Sequence, residues 1–206
     1  MLNRRFTLSA AAALAAVTLA GCGGAGGGQA ASAEDMSMGQ ASAKLKLVEY
    51  ASASCTHCAT FNNDVFPAVK AKYIDTGKMQ YTLKEFLTPP NEVAAAGFLL
   101  SRCAGKDKYF TVLDSVYKNQ TEMFTTGDFR GVLLRIAQSS GMTEAQFNAC
   151  VNDDKAISAL NARVEKAVRD DKITATPTFF LNGKKIAEGE LSLAQIDAAV
   201  AQAGVN

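Results

Sequence analysis

Cys55 and Cys58 stand three residues apart in the run Cys55-Thr56-His57-Cys58. Two thiols at this spacing can close into a small disulfide ring or open again, and the thiolate is the form that reacts. At the start of a helix, the unpaired backbone N–H groups and the helix dipole favour a thiolate on the first cysteine and lower its pKa. His57, the one histidine of the chain, lies inside the ring and, when protonated, adds a positive charge near the same sulfur. Two other readings of the pair are an inert disulfide and half of a zinc site. Zinc needs two more ligands nearby, and the one histidine is already between the cysteines, so no metal is expected.

Three further cysteines complete the set. Cys22 is treated below with the amino terminus. Cys103 and Cys150 fall on two predicted helices with no motif between them. The simpler reading is a structural disulfide joining those helices, contributing about 3 to 4 kcal/mol by constraining the unfolded loop; a second redox role is the alternative. Leaving Cys22 aside, the count is even, which favours disulfides in an exported chain.

The elements that must position the reactive pair can be read on both sides of it. Lys44 to Tyr50 alternates charged and apolar residues and predicts a strand entering a sheet, with Glu49 on the same face as Leu45 and Leu47. A small polar loop, Ala51 to Ser54, leads to the cysteines. Phe61, Val65, Val69 and Tyr73 then recur every four residues along one face of a helix that ends near Gly77, with a kink expected at Pro67. Met79 to Phe86 alternates again and predicts a second strand.

From Pro89 to about Asp171 the pattern is helical, with segments near 91–104, 107–119, 128–139, 143–152 and 154–170. Thr178 to Leu181 predicts a short strand, Asn182-Gly183 a two-residue hairpin turn, and Lys184 to Ala187 the returning strand. A last helix is expected from about Leu193 to Ala203. The strands before and after the helical block are too few to form separate stable sheets, so they must pair with each other across it. The fold class is therefore α/β, with a helical insertion over about residues 88–171.

At the amino terminus, Arg4 and Arg5 precede an apolar run from Phe6 to Ala20, the length of a signal h-region and short for a membrane span. Residues 1–21 are read as an export signal. Leu19-Ala20-Gly21-Cys22 resembles a bacterial lipobox, which would make Cys22 a lipid anchor; ordinary cleavage in the Ala30-Ala31-Ser32-Ala33 stretch is the alternative. Residues 22–43 are rich in Gly, Ala, Ser and Gln and read as a flexible linker, about 25 Å in mean reach. The folded domain is expected over 44–206.

The whole chain of 206 residues carries 21 Lys and Arg against 20 Asp and Glu and is 48% apolar. That balance excludes a disordered chain and supplies no surplus of positive charge for nucleic acid.

Glu49-Tyr50, the Cys55-Thr56-His57-Cys58 motif, the long helical insertion and Thr176-Pro177-Thr178-Phe179-Phe180-Leu181-Asn182-Gly183 together resemble the DsbA-like thioredoxin-fold disulfide oxidoreductases, over about residue 44 to the end. The resemblance implies a thioredoxin fold with the insertion between the second strand and a strand that starts at a cis-proline. It makes Cys55 the exposed nucleophile and Cys58 its buried partner. Pro177 becomes the cis-proline, with Thr176 beside the active sulfur and against bound substrate; a trans strand-starting proline is the alternative. Glu49 becomes a buried acid that could give or take the Cys58 proton, its pKa raised by desolvation; an exposed strand-end glutamate is the other reading.

The implied activity is disulfide formation in unfolded exported proteins in the bacterial periplasm or envelope, with reoxidation by a DsbB-like quinone-linked membrane oxidase and no bound cofactor. Thr56 departs from the family, many members of which carry proline there, and residues between the cysteines tune the potential. Two alternatives are an envelope reductase or isomerase of the same fold, and a non-catalytic thioredoxin-like binding module. Phe98, Met123 and Phe124 are expected in the core, with a substrate-facing apolar surface as their alternative role.

Overall fold

The computed structural model describes residues 31, 32 and 34–204. Two strands flank the reactive motif: β2 (Leu45–Ala51) runs into the loop before Cys55, and β3 (Met79–Glu85) follows the helix after it. They pair in parallel, with Glu49 opposite Leu83 and Leu47 opposite Tyr81. Parallel neighbours need a crossover of a dozen or more residues. The crossover here is a continuous helix built from α1 (Thr56–Thr60), a π segment (Phe61–Val65), α2 (Phe66–Val69) and a second π segment (Lys70–Ile74).

The kink expected at Pro67 is realised as a π turn. The Phe66 N–H reaches back to the Phe61 carbonyl, and Pro67, which has no N–H to give, is the second residue of the next α segment. Residues spaced by four drift around a helix of 3.6 residues per turn. The two wider turns absorb that drift and keep Phe61, Val69 and Tyr73 buried on one side.

β4 (Thr178–Leu181) pairs antiparallel with the other side of β2, placing Phe179 opposite Glu49, and β5 (Lys184–Glu188) closes that edge. Asn182 and Gly183 turn the hairpin with positive φ, as two-residue hairpins of this type demand. The Asn182 side chain also accepts from the Lys46 N–H, which ties the turn to β2. The strands on either side of the helical block thus pair across it, as expected.

The sheet order is β1-β3-β2-β4-β5, and its first member corrects the linker expected over 22–43. Met36–Met38 forms β1, antiparallel to β3, with Met36 buried. This arm is held further by Arg102, which donates to the Glu34 carbonyl, and by a Lys84–Asp35 ion pair. Three residues have too weak a pattern to read as a strand; pairing with β3 decides the matter. Residues 22–30 and 33 of the expected linker, Cys22 among them, and the signal over 1–21 lie outside the described residues.

The insertion comprises α3 (Asn91–Cys103), α4 (Tyr109–Lys118), α5 (Gln120–Thr126), α6 (Phe129–Ser139), α7 (Glu144–Val151) and α8 (Asp154–Arg169). Five of these match the periodicity; α5 does not appear in it, because only one residue, Asn119, separates it from α4. The last helix, α9 (Leu193–Gln202), begins with a Ser192–Gln195 capping box. Cys103 at the end of α3 and Cys150 in α7 form a disulfide with their Cα atoms 6.2 Å apart.

Strand alternation sends Leu45, Leu47, Tyr81, Leu83 and Phe179 into a large core shared with the α1–α2 helix, the insertion and α9. Val48, Tyr50 and Phe180 face the opposite side, covered by Ala167 of α8 and Ile173. Phe98 and Met123 are fully buried in the large core. Glu85, at the end of β3, is buried but not alone: Arg102 of α3, Arg163 of α8 and the Tyr109 hydroxyl of α4 all donate to it. A buried carboxylate is tolerated only with such partners, and this one joins three insertion helices to the sheet.

Candidate active site

Cys55 is the N-cap of α1 and has extended backbone angles (φ −78°, ψ 121°). An N-cap side chain faces the first free N–H groups of the helix, and here that side chain is sulfur. The loop that delivers it is buried, and its serines are tied to Thr88. Ser52 Oγ accepts from the Thr88 N–H and hydroxyl, and Ser54 Oγ donates to the Thr88 carbonyl at 2.7 Å. From α5, Gln120 donates to the carbonyls of Ala53 and Cys55 at 2.8 and 3.2 Å. Gly97 of α3 lets that helix approach the same loop: a Cβ there would stand 2.9 Å from the Ala53 Cβ.

Both cysteines of the motif are free thiols, Cys55 partly exposed and Cys58 buried. Their environments differ in sign. Cys55 is lowered from 9.0 to about 5, first because the Cys58 thiol hydrogen-bonds it; desolvation opposes this, and the Thr176 side chain and the backbone N–H groups of Cys58 and His57 add to the lowering. Cys58 is pushed well above 9.0 by burial, by its role as donor to Cys55 and by the nearby Glu49 charge, against one N–H from Ser52 at 3.5 Å. One thiol is thus held as an anion and its neighbour as a protonated donor.

Thr176-Pro177 is a cis peptide, and the Thr176 carbonyl lies 3.3 Å from the Cys55 sulfur. Pro177 begins the segment leading into β4 and its carbonyl accepts from the Gly189 N–H. Thr176 and Ala175 form one wall of an open groove whose other walls are Ser54, Cys55, Thr56, Thr88, Pro89 and Phe124. Phe124 is 37% exposed, one of two large apolar side chains exposed among the described residues. Of the three residues weighed for an apolar surface, it alone lines the groove.

Glu49 is 3% exposed, so the exposed alternative does not hold. Its carboxyl is raised from 4.5 to about 8 chiefly by desolvation, with the Tyr81 hydroxyl lowering it and the Cys55 charge raising it. Tyr81 donates to Glu49 Oε2 at 2.5 Å.

His57 meets a partner that the sequence does not indicate. Its ring is exposed and pairs with Glu190 at 3.0 Å, and what it brings to the Cys55 sulfur is its backbone N–H. No group of three or more His, Cys, Asp or Glu side chains placed to hold a metal occurs among the described residues.

Three contributors are not legible in the sequence: Tyr81, Gln120 and Glu190. Tyr81 sits on the inward face of a strand whose alternation is plain, but its partner depends on the parallel register. Gln120 belongs to the helix that periodicity does not reveal. Glu190 lies in the β5–α9 connection, which carries no pattern.

The sequence profile of the family described as thioredoxin matches residues 31–202. A Rickettsia bellii protein named as a protein-disulfide oxidoreductase is 34% identical over 170 residues, which cover 82% of this chain and 64% of that relative. The chain therefore spans under two thirds of that relative's length. The crystal structure of Wolbachia pipientis alpha-DsbA1 superposes with a TM-score of 0.76 at 30% identity, covering 84% of this chain and 92% of that one. BdbD from Bacillus subtilis, at 18% identity and a TM-score of 0.68 over 82% of this chain and 91% of its own, shares the fold. The chain belongs to the thioredoxin family, among its DsbA-like members.

Proposed function

We propose that this protein is a thiol oxidase that transfers the Cys55–Cys58 disulfide to unfolded exported proteins. The observation that carries the direction is the Cys55 sulfur at the helix N-cap, facing backbone N–H groups and held near pKa 5. A stabilised thiolate is a good leaving group, and stabilising the reduced form makes a couple oxidising.

In the disulfide form, a substrate thiolate attacks Cys55 Sγ along the open groove. The Cys55–Cys58 bond breaks, and the electron pair leaves on Cys58. That sulfur is buried and cannot hold charge cheaply, so it takes a proton, in this reading from the Glu49 carboxyl. A second substrate thiolate then attacks the substrate sulfur of the mixed disulfide, which forms the substrate disulfide and releases Cys55 as thiolate. Thr176 and cis-Pro177 are read as the edge on which an extended substrate backbone lies, and Phe124 as an apolar contact for its side chains. In reoxidation the roles reverse: Cys55 attacks the disulfide of an oxidising partner, Glu49 takes the Cys58 proton, and Cys58 displaces the partner. A DsbB-like quinone-linked membrane oxidase suits that step.

The domain is read as residing in the periplasm or envelope. An export signal over 1–21 and a lipid at Cys22 fit the sequence. Cys103–Cys150 is read as structural, since it joins two insertion helices and neither of its cysteines lines the groove.

The test is the reduction potential of the Cys55–Cys58 pair in glutathione buffers, with Cys22 replaced. A value within a few tens of millivolts of about −120 mV is expected for a disulfide donor; a value near −270 mV would make it a reductase.

A further inference from the structure

Glu49 does not stand alone in the core. From β2 it interacts electrostatically with both cysteines of the α1 motif, and buried phenols lie about it: Tyr81 on β3 and Tyr117 on α4, with Tyr109 of α4 next to those two. Phe179, its neighbour on β4, carries no titratable group. Only one of these phenols engages the carboxyl: Tyr81 donates to Oε2 at 2.5 Å, both residues being buried. Tyr109 is committed to Glu85 at 3.0 Å, and the Tyr117 hydroxyl has no hydrogen-bond partner among the described residues. The Tyr81 ring is itself fixed by Phe66 and Phe110, at centroid distances of 4.6 and 5.8 Å.

The geometry points to Tyr81 as a positioning residue for the Cys58 proton: its phenol holds the Glu49 carboxyl by one oxygen, Oε2, and leaves Oε1 as the oxygen that exchanges the proton with Cys58. The inference rests on the reading that Glu49 carries that proton. Tyr81 has two consequences for Glu49. It removes rotational freedom from a side chain that must meet a sulfur on a different element. It also stabilises the carboxylate against desolvation, the one resolved influence that lowers the Glu49 pKa. A buried carboxyl without such a donor would hold its proton to higher pH and would be a poorer base for Cys58 at neutral pH. In reoxidation the balance is simple: the Cys58 S–H bond breaks, the proton passes to Glu49 Oε1, and the Cys58 electron pair forms the new bond to Cys55 as the partner thiolate departs.

The experiment isolates the Cys58 step. Cys55 of the mature domain is loaded with glutathione as a mixed disulfide, and its resolution by Cys58 is followed against pH for the wild type, Tyr81→Phe, Glu49→Gln and the double variant. Phenylalanine keeps both ring contacts, and unfolding midpoints report whether each variant is folded. Tyr81→Phe is expected to move the midpoint of the rate profile upward by about one pH unit, with about tenfold slower resolution at pH 7. Glu49→Gln should abolish that inflection, and adding Tyr81→Phe to it should cost no more than a factor of about two. If Glu49→Gln leaves the profile unchanged, the Glu49 reading fails and takes this inference with it. If Glu49→Gln abolishes the inflection while Tyr81→Phe leaves the midpoint in place, Glu49 stands and the positioning role of Tyr81 is overturned. A Tyr81→Phe protein that is less stable but has the wild-type midpoint overturns that role equally.

Discussion

The two cysteine pairs of this domain hold the same atoms in opposite surroundings. Cys103 and Cys150, 47 residues apart, join α3 to α7. Cys55 and Cys58, three apart, are free and split, the first low in pKa at a helix N-cap beside an open groove and the second high in pKa in the core. Reactivity is thus a property of the surroundings. A sulfur facing unpaired N–H groups becomes an anion, while one walled by apolar side chains stays protonated.

Removing Cys55 should have the largest effect. Cys55→Ala is expected to abolish exchange with reduced peptide substrates, and Cys58→Ala to accumulate a mixed disulfide at Cys55, seen as a mass increase equal to one substrate. By contrast, Cys103→Ala with Cys150→Ala should leave exchange rates within about twofold and lower unfolding stability by about 3 to 4 kcal/mol in denaturant titration. If the double variant loses exchange while staying folded, the division of labour between the pairs is wrong.

The pH dependence sharpens the same contrast. Because the folded Cys55 pKa is depressed from 9.0 to about 5, its contribution to the reduced protein is fully present above pH 9 and is lost as pH falls through 5. The stability of the reduced form should therefore rise between about pH 5 and 9 in wild type and lose that part of its slope in Cys55→Ser. Glu49 works in the other direction: its raised pKa means that its share of stability falls as pH climbs from 4.5 to about 8, and the titrations must be compared in a Glu49→Gln background to separate the two. The smallest effect is expected at the groove wall. Phe124→Ala should raise KM for an unfolded, cysteine-containing peptide a few-fold with little change in kcat, by loss of apolar contact alone.

How far the site is legible in the sequence differs residue by residue. The Cys55–Cys58 motif announces itself because strand, loop and helix start are all local patterns. Glu49 is half legible: alternation gives its face, and only the sheet pairing shows that this face is covered. Tyr81 is legible as an inward residue but not as Glu49's partner, since the hydrogen bond links β2 to β3 across a parallel register that nothing local specifies. His57 is legible as a neighbour of Cys55, but its pairing with Glu190 is not, since the two residues lie 133 apart in the chain.

By itself the sequence determined the order of elements, the hairpin at Asn182-Gly183, the reactive cysteine motif and the proline before β4, all of them set by short-range periodicity, turn chemistry and cysteine spacing. Tertiary structure alone decided that Met36–Met38 is an edge strand, that a short helix brings Gln120 to the loop before Cys55, and that a tyrosine holds the buried acid. Each of those depends on groups at least 30 residues apart in sequence. Such contacts form only when the whole core closes, and no local preference encodes which of them will.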